Sequence, residues 1–240
     1  MKITDLIKRK IYNALHPKIG EVWMLHRVVE HRSEKPEQHV LEVTPDFLEQ
    51  KILKYQQKGY RFVSINELPS LITAHYSPFT PRFVCITFDD GYRDNYTVAY
   101  PLLKRLGVPF TIYVTTGFID NKQPMWWYPG QSLALDLDEL CILAEDPLCT
   151  IGAHTVNHPH LSQLPIDAQL NEIQTSQHQL QAILNRPIAH FSYPHGDYND
   201  QTLNICRQIG FHTAVTTNGR TVRTNYQPLQ LDRINIVQPD

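Results

Sequence analysis

Cysteine is scarce and unclustered in this chain. Cys85, Cys141, Cys149 and Cys206 are its four cysteines, and none forms the close pair that grips a structural zinc. Cys85 also lies inside an apolar run, residues 84–86, that reads as a buried strand, so reduced thiols in a reducing compartment are expected rather than a disulfide framework. An excess of either charge is missing too. With 22 Lys and Arg against 24 Asp and Glu, the formal charge is −2, and no basic stripe marks nucleic acid as a principal partner. No segment approaches the ~20 apolar residues that span a bilayer. The first residues lack the apolar core and small-residue cleavage site of a secretory signal, which places the expected location in the cytoplasm or on the cytoplasmic membrane face. Internal repeats, low-complexity stretches and linker-like composition breaks are absent as well. A chain of 240 residues with 42% apolar content can form one domain with a sizeable core.

Residues 1–15 place Ile3, Leu6, Ile7, Ile11, Ala14 and Leu15 at helical spacing, with Lys2, Lys8, Arg9 and Lys10 elsewhere. A helical extension over residues 1–19, packed on the rest of the molecule, is expected. Peripheral membrane contact through residues 1–15 is the alternative, because a basic amphipathic segment suits that role.

From residue 20 onward strand-like and helix-like segments alternate. Residues 21–28 read as a strand and 46–58 as a helix bounded by Thr44-Pro45 and Gly59. Residues 61–65 return as a strand. A helix over 101–106 closes at Gly107, and 110–115 form the next strand. A long loop over 117–133 follows, then a helix around 136–144. Ile166, Leu170, Ile173, Leu180 and Leu184 keep helical spacing through the longest helix. Strands over 189–193 and 211–216 flank a helix ending at Gly210, and 231–236 is a late strand. Repeated strand-helix units call for an α/β fold with a parallel sheet and helices outside.

Chemistry concentrates at two places. Thr87-Phe88-Asp89-Asp90-Gly91-Tyr92 sets two carboxylates where an apolar strand meets a turn; this is where barrels keep their catalytic groups. Adjacent side chains at a strand end diverge, so one aspartate can bind metal while its neighbour moves protons. His154 and His158 are four apart, which on one helical turn puts both imidazoles on the same face. With Asp90 they make a His-His-carboxylate set. Three protein ligands leave a position open for water, the pattern of a catalytic zinc; iron, cobalt and nickel accept the same ligands. Twelve histidines make a four-apart pair common by chance, and the coincidence with the Asp-Asp strand end is what singles this pair out.

Thr87-Phe88-Asp89-Asp90-Gly91 and His154-Thr155-x-x-His158-Pro159 resemble the first two motifs of the polysaccharide deacetylases, carbohydrate esterase family four or the NodB-homology domain. The resemblance extends over roughly residues 20–236 and implies a catalytic domain over 20–240. Its implied fold is an irregular, TIM-barrel-like (β/α)7-type barrel. It implies a zinc-dependent hydrolase of N-acetylated amino sugars, with Asp90, His154 and His158 as metal ligands and Asp89 as general base. The third motif is similar to Phe191-Ser192-Tyr193-Pro194-His195-Gly196, but Ser192 stands where many relatives carry an arginine that holds the catalytic aspartate. Arg233, in the late strand, is the candidate replacement. Tyr193, Pro194 and His195 are candidate substrate-binding or oxyanion residues, since the Pro-His-Gly turn can aim the His195 N–H at a developing oxyanion.

The family's C-terminal histidine, which protonates the leaving amine, has no counterpart after His212. His26, ending the first strand on the same expected rim, is the candidate acid. Trp126 and Trp127 lie in the long loop, where one can stack on a sugar ring while the other enters the core. The expected partner is an N-acetylated carbohydrate. Three rival classes exist. A glycosidase needs its carboxylates about 5 Å or more apart across a sugar, which adjacent aspartates serve poorly. A catalytically weak carbohydrate-binding relative would have lost the base or the metal set. A metal-dependent amidase or imidase on small cyclic amides would use the same fold and differ in substrate.

Overall fold

The computed structural model describes residues 12, 14–73 and 82–240. The expected N-terminal helix therefore lies outside the described residues, save for a helical turn at Tyr12, Ala14 and Leu15. The first strand, β1, is Lys18–Leu25, so the boundary drawn at residues 19/20 falls within it. Two short strands, β2 (Arg27–Val28) and β3 (Glu42–Val43), pair in a separate ladder. Helix α1 (Pro45–Gln57) follows, its first turn closed by the Thr44 hydroxyl accepting from the Phe47 N–H and by Pro45 at the first position. Then come β4 (Arg61–Phe62), α2 (Leu68–Thr73) and β5 (Phe83–Phe88). The remainder alternates as expected: α3 (Tyr100–Leu106), β6 (Phe110–Val114), α4 (Leu137–Glu145), β7 (Cys149–Ala153), α5 (Ile166–Leu184), β8 (His190–Ser192), α6 (Asp200–Ile209) and β9 (Thr213–Val215). Strands β10 (Val222–Arg223) and β11 (Ile234–Asn235) complete the chain.

The sheet runs β10-β1-β5-β6-β7-β8-β9, with β11 on β1 and β4 on β5. Every pairing in it is parallel except β1 with β10. The chain segment that ends in β11 joins the two sides. Leu231 bridges Val215 of β9, while Ile234 and Asn235 pair with Trp23 and Met24 of β1. The result is the irregular (β/α)7 barrel, its parallel staves being β1, β5, β6, β7, β8, β9 and β11. Alternation along the staves separates two cores. Trp23, Val84, Ile86, Phe110, Ile112 and Phe191 pack outward into the main cluster with the helices, where α4 and α5 cover β7. Val22, Cys85, Tyr113 and Val215 point inward and fill the barrel with Phe83 and Leu231. A fully buried apolar side chain of this size contributes about 1.5–3 kcal/mol.

Two expected strands stop short of the ends of their apolar runs, and one expected helix starts differently. The 21–28 run breaks at His26, because β2 leaves the barrel to pair with β3. The 61–65 run ends at Phe62, because Ser64 and Glu67 form a capping box that turns residues 65–67 into a helical turn. The helix expected over 101–106 starts at Tyr100 and is preceded by a wide i→i+5 turn over Asn95–Ala99. All four cysteines are free, Cys85 among the buried ones. Among the described residues, no helix is long and apolar enough to cross a membrane.

Candidate metal centre and active-site rim

The C-terminal ends of the staves carry the polar side chains. Asp89 follows the last residue of β5 and turns inward, where Arg233 grips it: Nη1 donates to Oδ1 at 2.7 Å and Nη2 to Oδ2 at 2.6 Å. The guanidinium is fully buried, and its remaining donors reach Thr87 Oγ1 at 3.1 Å, Ser192 Oγ at 3.0 Å and the Thr216 carbonyl at 2.9 Å. All five N–H groups of the fork are thereby used. Ser192 stands where an arginine was expected from the resemblance, and its hydroxyl accepts from the arginine that reaches in from the last stave. Burial opposes the Asp89 charge, but Arg233 and, less strongly, His154 hold its pKa below the usual value.

Asp90 is no longer on the strand. Its φ of 73° throws its carboxylate away from that of Asp89 and toward the histidines; a non-glycine residue in this region marks local constraint. His154 extends β7, its N–H donating to Val114 O at 3.0 Å. Its Nδ1–H donates to the Ser192 carbonyl at 2.8 Å, which leaves the Nε2 lone pair facing the cavity. His158 arrives differently from the helical turn expected from the four-residue spacing. Residues 154–158 form a bend, not a helix: Thr155 and His158 have φ of 65° and 60°, and Pro159 after His158 disfavours helical backbone there. The Thr155 hydroxyl accepts from the His158 N–H at 3.0 Å and closes the bend.

Both imidazole Nε2 atoms lie 3.4 Å from Asp90 Oδ1, and Oδ1 is buried with no hydrogen-bond partner. The three donors lie within 4.8 Å of one another. Contacts of 3.4 Å are poor hydrogen bonds. Yet ligand atoms about 2.0–2.1 Å from a tetrahedral ion stand roughly 3.4 Å apart. The orphaned carboxylate oxygen and the inward imidazole nitrogens thus fit a divalent cation. Burial, the largest influence on all three, is outweighed at Asp90, whose carboxyl is held far below the usual range by the adjacent His154 and His158 imidazoles. At His154, Asp89 and Asp90 together raise the imidazole, while at His158 burial prevails and pushes it down to about 3.

These groups line a cavity of about 230 Å³ together with Met24, His26, Leu41, Trp126, Trp127, His195 and Thr217. A larger cavity, about 530 Å³, lies beside β10; the ligand cluster among the described residues is not in it, so chemistry rather than volume identifies the site. His26 leaves the end of β1 and reaches the rim with its Nδ1 unpartnered. Burial pushes its pKa down against the upward pull of Asp90 and Asp89. Trp126 and Trp127 divide as expected: Trp126 is 61% exposed, whereas Trp127 packs against His158 at 4.8 Å and donates Nε1–H to Tyr92 Oη at 2.6 Å. His195, with φ 59°, turns the Pro194–Gly196 corner, its ring 4.4 Å from His158 and stacked on His160 at 3.9 Å.

Tyr193 and Pro194 do not line the cavity. Alternation along β8 sends Ser192 inward and Tyr193 outward, where it is buried in the main core and its hydroxyl donates to the Leu229 carbonyl at 2.9 Å; Pro194 is buried beside it. Three contributors were given no role from sequence. Thr87 and Ser192 complete the Arg233 fork, and Glu172 of α5 binds the histidine bend. Thr87 had a signal, the inward register of its strand. Glu172 had none, since nothing in a helical pattern tells which surface carboxylate meets a loop.

The chain matches the family described as polysaccharide deacetylase over residues 77–214. A curated protein, the putative polysaccharide deacetylase YxkH of Bacillus subtilis (strain 168), is 29% identical over 178 residues, which is 74% of this chain and 60% of that protein. The match thus spans less than two thirds of that relative's length. Among solved structures, the Streptococcus pyogenes deacetylase PplD in complex with acetate aligns with a TM-score of 0.77 and 32% identity over 92% of this chain and 93% of that one. IcaB from Ammonifex degensii aligns with a TM-score of 0.78 over 92% of each chain at 23% identity, a likeness of fold.

Proposed function

Because the chain belongs to the polysaccharide deacetylase family, we propose that it is a metal-dependent hydrolase. It removes the N-acetyl group from an N-acetylated amino sugar in a glycan, an oligosaccharide or a glycan precursor, releasing acetate. The observation that carries this reading is the Asp90-His154-His158 triad beside a second, Arg233-bound carboxylate in one cavity. Acetate, the product this reading requires, is the ligand named for the Streptococcus pyogenes relative. A divalent ion held by Asp90, His154 and His158 would supply Lewis acidity to a water and to the acetamide carbonyl. Zinc suits this donor set, and iron, cobalt and nickel are its competitors.

The chain's own residues do the rest. Asp89, kept ionised by Arg233, takes a proton as water attacks; each of its oxygens retains a lone pair beyond the one Arg233 uses. Arg233 fixes the direction of that carboxylate without touching substrate. The His195 backbone N–H, at the Pro194–Gly196 corner, faces the oxyanion. His26 gives its proton to the departing sugar amine. The exposed Trp126 ring stacks on the sugar. The test is acetate release from chito-oligosaccharides compared with hydrolysis of cyclic amides by the metal-loaded protein. Acetate release with no cyclic-amide turnover is expected; the reverse would make it an imidase on the same fold, and neither would leave a carbohydrate-binding relative.

A further inference from the structure

Two residues of the histidine bend, Thr155 and His158, hold φ of 65° and 60°. Such conformations are costly for residues other than glycine and persist only where the surroundings over-determine them. Part of that constraint comes from the neighbouring strand end. The Thr116 N–H donates to Thr155 O at 3.1 Å and the Gly117 N–H to Val156 O at 2.8 Å. The opposite side of the bend is held by one carboxylate on α5. Glu172 Oε2 accepts from the N–H of Val156 at 3.0 Å and of Asn157 at 2.9 Å, and Oε1 accepts from Asn157 Nδ2 at 2.7 Å. Three bonds to an ionised acceptor are individually strong, and all converge on the two residues before His158.

We propose that Glu172 is a positioning residue for the metal centre. Resting on the reading of the triad as that centre, it holds the bend so that His158 Nε2 stands opposite Asp90 Oδ1. Its bonds go to residues 156 and 157, so it acts on His158 through the backbone. A purely structural role would tie α5 to the loop and affect folding alone. A positioning role makes metal affinity depend on this carboxylate beyond any change in stability.

The experiment measures Zn2+ affinity of the metal-stripped protein by competition with a chromophoric chelator, alongside the melting temperature of the stripped form. Glu172→Ala should weaken Zn2+ binding about 10- to 100-fold, the usual consequence of removing a partner behind a ligand. Glu172→Gln keeps a carbonyl oxygen for the two backbone N–H groups and should stay within about threefold of the parent. Ile173→Val, one residue along the same helix and fully buried, should lower the melting temperature while leaving affinity unchanged. Parental affinity in Glu172→Ala, or an equal loss in Ile173→Val, overturns the proposal. Should Glu172→Ala not fold, Asn157→Ala removes one of the three bonds from an exposed position. It should weaken Zn2+ by a few-fold, and unchanged affinity there also overturns the proposal. A parent that binds Zn2+ equally well without His158 overturns the metal reading as well, which separates that failure from failure of the Glu172 assignment.

Discussion

The Arg233 guanidinium reaches from the last stave across the barrel to orient Asp89, and it has no slack: Thr87, Ser192 and the Thr216 carbonyl take the donors that Asp89 leaves. Lysine keeps the charge but offers three donors from one atom and cannot form the bidentate grip. Arg233→Lys should therefore lower kcat roughly 10- to 100-fold while metal content stays at the parental level; unchanged kcat would show that Asp89 orients itself. His26 makes a separate claim. Because burial lowers its pKa, raising the pH strips its proton early, and deacetylation should fall on the alkaline side from below about pH 6.5. His26→Gln should lose most amide hydrolysis and flatten that limb, yet spare an aryl acetate ester, whose phenolate leaves without a proton. Equal loss on both substrates would move the acid to His195. At this scale Asp89, Asp90 and the histidine pair were legible because their types and spacing are rare together. Arg233 was legible only through the resemblance, as the candidate for the arginine missing at Ser192, since nothing in sequence says which buried arginine faces inward. Tyr193 was misplaced because alternation along β8 could not be phased before its partners were known.

Two short backbone joints, Asp89-Asp90 and residues 154–158, carry more of the site than any helix or strand. The second depends on a close approach at Gly117, where a β-carbon would lie 2.5 Å from the Val156 carbonyl oxygen. That oxygen is backbone and cannot rotate away, so Gly117→Ala must part the two segments and shift His158 with them. The expected outcome is a Zn2+ affinity at least 10-fold weaker in the stripped protein, with the barrel's far-ultraviolet circular dichroism unchanged; parental affinity would show that the bend holds its shape unaided. The four-residue histidine spacing suggested a helical turn, and Pro159 with the positive φ at Thr155 overrode it. Strand ends were read too long wherever a polar residue, His26 or Ser64, redirected the chain through contacts distant in sequence. The helices that were read from sequence fell close to their observed bounds, because the Thr44-Pro45 start and the Gly107 and Gly210 stops are local signals.

The whole molecule was legible as an alternation of strands and helices, but its closure was not. The segment 231–236 looked like one more strand, and only its bridges to Val215 and to Trp23 and Met24 make it the stave that shuts the barrel. The lower end of the barrel carries a pH liability of its own. His190 is buried, bonded to Thr213 Oγ1 and Asn66 Oδ1, and burial lowers its pKa to about 4. The unfolded chain binds that proton near pH 6.5, so the stability contribution is complete above pH 6.5 and is lost as pH falls toward 4, by about 3 kcal/mol. Denaturant midpoints of the stripped protein at pH 7 and pH 4 should differ less in His190→Gln than in the parent; identical differences would contradict the buried neutral imidazole. In the proposed mechanism one ion at Asp90, His154 and His158, served by Asp89, supports the hydrolysis. Zn2+ titrated into stripped protein, with acetate release from a chito-oligosaccharide followed on the same sample, tests it most directly. Activity should rise to a plateau at about one ion per chain. An Asp89→Asn variant should bind the ion but turn over roughly 100-fold more slowly, and His158→Ala should be inactive. Acetate release that is independent of Zn2+, or that survives the loss of His158, would contradict it.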